Sequence, residues 1–151
     1  MDFRLYSRGM VSLPRTSTSN RLLLSGISAL VVDDHPHSRE YLDDALSYHG
    51  AAVIAVRSAA RALEIVARFT PTIVICDIAM PDHDGVWLLR ELRRHQQATG
   101  WYVPVVALTA GMSRPSREDF DLILTKPCNL DTLCWKIFQL TRGIEENIET
   151  A

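Results

Sequence analysis

Apolar residues along the chain fall into five short continuous runs, and four of them are followed by a stretch with helical spacing. Ala29-Leu30-Val31-Val32 is the first run, stopped by Asp33-Asp34. Pro36 opens a helix, because its missing N–H is an orphan at that position anyway. Tyr41, Leu42, Ala45 and Leu46 recur at helical spacing, and Gly50 ends the segment. Ala52 to Val56 is the second run. Ser58 is placed to cap a helix with Ala62, Leu63, Val66 and Phe69 on one face, broken by Pro71. Ile73-Val74-Ile75-Cys76 is the third run, stopped at Asp77. After a Pro/Asp/Gly loop from Met80 to Gly85, Trp87, Leu88, Leu89 and Leu92 predict a third helix. Val103 to Leu108 and Leu122 to Leu124 are the fourth and fifth runs, ending at Thr109 and at Lys126-Pro127. Leu130, Leu133, Ile137 and Leu140 predict a last helix from about Asn129 to Arg142.

Strands that are apolar throughout are buried on both faces, which is the mark of a parallel sheet flanked by helices. Their alternation with helices gives a doubly wound α/β class. The chain has 151 residues, the size of one domain, with 47% hydrophobic and 23% charged residues. No run of 18 apolar residues predicts a membrane span. Residues 1–20 lack the continuous apolar core of a signal peptide.

Charge divides the chain. Arg4, Arg8, Arg15 and Arg21 against Asp2 give residues 1–26 a net of +3, so the rest carries −5 of the total −2. The reading is a flexible basic tail over 1–26, one domain over 27–142 and an acidic C-terminal tail over 143–151. The near-neutral total gives no electrostatic case for nucleic acid. Cys76, Cys128 and Cys134 are odd in number and form no CxxC, which disfavours a disulfide framework or zinc site and fits a cytoplasmic protein. His35 and His37, near acidic residues, offer at most adventitious metal binding.

In a parallel α/β sheet, functional groups gather beyond the carboxyl ends of the strands. Asp33 and Asp34 follow the first strand, Asp77 the third, Thr109 the fourth and Lys126 the fifth. No glycine-rich nucleotide loop accompanies them. Each residue alone has a plain structural reading: an Asp capping a helix, a turn before a helix, a strand end, a solvated lysine. Together they place three carboxylates, a hydroxyl and an ammonium on one edge.

Five segments carry a family resemblance: Leu30-Val31-Val32-Asp33-Asp34, Ile75-Cys76-Asp77-Ile78-Ala79-Met80-Pro81, Asp84-Gly85, Ala107-Leu108-Thr109-Ala110 and Leu124-Thr125-Lys126-Pro127. The chain resembles the receiver domain of two-component response regulators over about residues 27–142. The resemblance implies a flavodoxin-like five-stranded parallel sheet in the order 2-1-3-4-5. It implies phosphorylation of Asp77 by a histidine kinase or phosphotransfer protein, and signalling through protein contacts rather than catalysis on free substrates. By the same resemblance Asp34, Asp77 and the main-chain carbonyl of Ala79 would hold Mg²⁺, with Asp33 acting mostly through water. Such an ion takes octahedral oxygen ligands and offsets the repulsion between a carboxylate nucleophile and a phosphoryl group. Lys126 and Thr109 would bind the phosphoryl oxygens, and the Lys126-Pro127 peptide would be cis.

The sequence departs from the family pattern in three places. Ile123 stands where the family usually has an aromatic residue, so a switch read by a tyrosine ring is altered or muted. The segment from Thr109 to Lys126 is short, so the fourth helix is expected to be truncated. Ala79 and Gly111, two residues after Asp77 and Thr109, are small and would leave an acyl phosphate open to water. Other readings are a phosphorylation-independent docking module, a receiver fragment of a hybrid histidine kinase, and a Mg²⁺-dependent aspartyl phosphatase. The last would need a second carboxylate where Ala79 stands.

Overall fold

The computed structural model describes residues 23–111 and 119–149. Its centre is two strands buried along their whole length, β3 (Ile73–Asp77) and β4 (Val105–Thr109). β1 (Ser28–Val32) lies beside β3, with β2 (Ala52–Val56) and β5 (Leu122–Thr125) at the two edges. All pairings are parallel, and the order is β2-β1-β3-β4-β5. This is the flavodoxin-like arrangement implied by the family resemblance.

Because strand side chains alternate, β-branched runs feed two cores at once. Leu30, Val32, Val74, Cys76, Val105 and Ala107 pack on one side with α2 (Ala59–Val66) and α3 (Gly85–Thr99). Val31, Ile73, Ile75, Val106 and Leu108 pack on the other with α1 (Pro36–Tyr48) and α4 (Leu130–Glu149). Each fully buried Val, Leu or Ile is worth about 1.5–3 kcal/mol.

Helix starts follow the side chains available. Pro36 opens α1. Ser58 Oγ accepts from Arg61 N at 3.1 Å, Asp84 Oδ1 from Trp87 N at 2.8 Å and Asn129 Oδ1 from Thr132 N at 3.0 Å. Each removes one orphan donor of a first turn.

Four expectations change. Leu24 is fully buried among residues of α1 and α4, and its N–H donates to His49 O at 2.8 Å, so the flexible tail expected over 1–26 does not reach residue 26. Leu24 completes the apolar cover of α1, with Leu23 half-buried against the same core. The last helix runs past Arg142 to Glu149, into the stretch expected as an acidic tail. No proline stops it, Leu140, Ile144 and Ile148 keep a four-residue spacing, and Glu145, Glu146 and Glu149 are good helix formers that outweigh Gly143. Phe69 lies beyond the end of α2 and is exposed, as is Tyr41 on the outer face of α1. The expected truncation of the fourth helix falls mainly on residues 112–118, outside the described residues.

Candidate functional site

Three strands deliver the polar groups to one edge. Asp33 directly follows β1, where its N–H donates to Val56 O of β2 at 3.1 Å. Asp77 is the last residue of β3. Lys126 follows β5, and its N–H donates to Thr109 O at 2.6 Å. The Lys126-Pro127 peptide is cis.

Lys126 Nζ bridges the carboxylates, 3.2 Å from Asp33 Oδ2 and 3.4 Å from Asp77 Oδ2. Asp33 is 1% exposed at its side chain and Asp77 is buried. Burial pulls the Lys126 pKa down, but Asp33 and Asp77 outweigh it and hold the ammonium above its ordinary value. The other Asp33 oxygen accepts the His35 amide at 2.9 Å, which fixes the chain entering α1, whose N-cap is His35 rather than Asp33. Asp77 Oδ1 accepts the Ala79 amide at 3.3 Å.

Asp34 is different. Its Oδ1 is shut off from solvent and has no hydrogen-bond partner among the described residues. A buried carboxylate oxygen without a hydrogen bond is costly unless something positive meets it, and the nearest side-chain nitrogen is His35 Nδ1 at 3.1 Å. Oxygens of Asp33, Asp34 and Asp77 and a nitrogen of His35 all lie within 4.8 Å of one another. Such a donor set fits a divalent cation.

The loop after β3 is pinned at both ends. Ile78 N donates to Leu108 O at 3.1 Å and Gly85 N to Ile78 O at 2.9 Å. A Cβ on Gly85 would sit 2.6 Å from the Asp77 carbonyl oxygen, so only glycine lets α3 start this close to the acidic residue. Ala79 and Gly111 are both exposed, as their small size suggested. Gly111 has φ +89°, a left-handed conformation that also disfavours a side chain there. Its N–H donates to Thr109 Oγ1 at 3.4 Å.

Asp33, Asp77 and Lys126 are in direct contact, and Asp34 adjoins them. Thr109 is buried at the end of the neighbouring strand, reached through its backbone bond to Lys126. Ile123 is half-buried against the core shared with α2 and α3. Two further residues take part, the first already noted in the sequence for its acidic neighbours and the second without a sequence signal of its own. His35, not His37, joins the acidic group. Arg39 Nη1 donates to the Asp33 carbonyl at 2.8 Å from one turn into α1.

The family model for the response regulator receiver domain matches residues 29–138. The chain belongs to this family. Among relatives of this receiver domain, the response regulator MprA of Mycobacterium leprae is 36% identical over 118 residues, covering 75% of this chain and 50% of MprA. The sensor histidine kinase RcsC of Salmonella typhimurium is 30% identical over 138 residues, covering 88% of this chain and 14% of the kinase. The receiver domain thus spans half or less of these relatives. The response regulator TrrA of Thermotoga maritima, solved in complex with Mg²⁺-BeF, superposes with a TM-score of 0.67 at 29% identity, over 76% of this chain and 98% of that one. Receiver domains of this family are signalling modules. Among the described residues, no helix is long and apolar enough to cross a membrane.

Proposed function

We propose that this receiver accepts a phosphoryl group on Asp77 from a phosphohistidine of a histidine kinase or phosphotransfer protein, and signals through protein contacts as a phosphorelay component. The observation that carries this reading is Lys126 Nζ lying within 3.4 Å of both Asp33 and Asp77 at the carboxyl edge. An Asp77 carboxylate oxygen attacks phosphorus. The new O–P bond forms as the N–P bond of the donor breaks, and the departing imidazole keeps the electron pair and takes up a proton.

Lys126 places a compact ammonium beside the attacking oxygen, where it offsets charge on the transferring group. Thr109 supplies a hydroxyl from the adjoining strand. Asp34, Asp77 and the Ala79 carbonyl would hold Mg²⁺, with Asp33 placed behind them, and the lack of a hydrogen bond at Asp34 Oδ1 fits that assignment. When bound, the ion supplies charge neutralisation between carboxylate and phosphoryl oxygens. The three free cysteines accord with a cytoplasmic setting.

Incubation with acetyl phosphate and Mg²⁺, read by intact mass, tests the reading. One added phosphoryl, absent in Asp77→Asn, is expected. A folded protein that gains none overturns it.

Ile123 favours a second reading. Its aliphatic side chain offers no aromatic ring for the phosphorylation switch, so partner docking independent of phosphorylation is the alternative. Equal partner binding by wild type and Asp77→Asn, with and without acetyl phosphate, would select it.

A further inference from the structure

His35 is the one nitrogen donor in the acidic group. It occupies the N-cap position of α1, yet its side chain makes no capping bond. The backbone around it is fixed from both sides. Its N–H is held by Asp33 Oδ1 at 2.9 Å. Its carbonyl accepts from Arg39 N at 3.0 Å, and Pro36 follows. The ring turns to the carboxylates, with Nδ1 3.1 Å from Asp34 Oδ1 and 3.6 Å from Asp33 Oδ1. At 3.1 Å, Nδ1 stands beside the Asp34 oxygen that has no hydrogen bond.

That spacing has a coordination meaning. Two ligand atoms at right angles, each about 2.1 Å from an octahedral ion, are separated by about 3.0 Å. The 3.1 Å between Asp34 Oδ1 and His35 Nδ1 matches that spacing. The His35 side chain is 68% exposed, so the ring has room to adjust and open positions remain for water. Imidazole adds little for hard Mg²⁺, but it binds Ni²⁺, Zn²⁺ and related ions well.

We infer that His35 Nδ1, beside Asp34 Oδ1, makes this a mixed nitrogen–oxygen site that favours imidazole-binding divalent ions over Mg²⁺ more strongly than carboxylates alone would. This rests on the acidic edge being the receiver's metal site, and its test is separable from phosphorylation.

The test loads the full chain with Mn²⁺ alone and records pulsed EPR. A nitrogen coupling that changes on ¹⁵N-histidine labelling is expected. It disappears in His35→Gln, while Mn²⁺ stays bound. Calorimetric titration with Ni²⁺ and with Mg²⁺ gives the second readout. The ratio of the two affinities falls by about tenfold in His35→Gln, chiefly through Ni²⁺. Bound Mn²⁺ without a nitrogen coupling, a coupling that survives in His35→Gln, or an unchanged ratio overturns the inference. If Asp77 gains no phosphoryl while the nitrogen coupling is present, the phosphorelay reading fails and the mixed-ligand site stands.

Discussion

The acidic and the basic halves of the site stand on different ground. Asp33 and Asp77 leave β1 and β3, in which four of five and all five residues are buried. Lys126 leaves β5, none of whose residues is buried. The carboxylates are placed by the core itself. The ammonium is placed by an edge strand that needs other fastenings.

One fastening is the Lys126 amide on Thr109 O. Another lies at the opposite end of β5, where Asp121 Oδ2 accepts from Val105 N at 2.7 Å and Arg93 Nη2 at 2.9 Å. Arg93 also donates to Val103 O and Asp119 O, and stacks over Tyr102, whose hydroxyl bonds Asp121. Charge-assisted bonds of this kind replace the packing that an edge strand lacks.

The comparison can be broken at its strong side first. Ile75→Ala, in the fully buried β3, is expected to cost about 2–5 kcal/mol in urea unfolding, with all probes moving together. Asp121→Ala is expected to cost less, about 1–3 kcal/mol, and to act locally. Amide exchange should quicken in β5 while β1 and β3 stay protected. Equal loss of protection in all three strands would erase the distinction between core-placed and latch-placed halves.

The acidic half should carry its own electrostatic strain. Asp34→Asn removes one of several crowded carboxylates, so the metal-free protein should melt about 2–4 °C higher. Added Mg²⁺ should raise the melting temperature of wild type and leave the variant nearly unmoved.

The smallest effect is chemical. Burial, with Asp77 and Asp84 beside it, pushes the Cys76 thiol up to about 12. Cys134 is likewise raised to about 12, by burial and then by Asp131 and Cys128. Cys128, half-buried, should therefore react first with iodoacetamide in the native protein, by peptide mass mapping. The other two should follow only on unfolding. Early labelling of Cys76 would show that β3 opens more readily than its burial implies.

Much of this was legible in the sequence because it rests on local pattern. Continuous apolar runs mark strands covered on both faces, and the residue that ends each run falls on one edge. The strand ends Asp33, Asp77, Thr109 and Lys126 could thus be placed by counting. What escaped depends on distance in sequence. Arg93 and Asp121 are 28 residues apart and share no period. Leu24 is recruited by helices that precede nothing in its own neighbourhood. His35 gains meaning only when β1 and β3 bring Asp77 beside it. The acidic residues after Arg142 look like a tail by charge but continue α4, because glutamate is a good helix former.

Gly85 has a consequence for engineering. Residues 81–83 are exposed, while the chain on either side is tied down, by the Ile78 bonds before and by the Asp84 cap and the bare Gly85 after. They form a three-residue cassette on the rim of the site. Exchange there keeps a residue tolerant of positive φ at position 82 (φ 65°) and gives up or replaces the His83 ring stacked on Trp87, 3.8 Å between centroids. The backbone carrying Asp77 is insulated from the exchange as long as position 85 stays without a side chain. The exposed rim and the acidic edge are thereby divided, for redesign, at a single glycine.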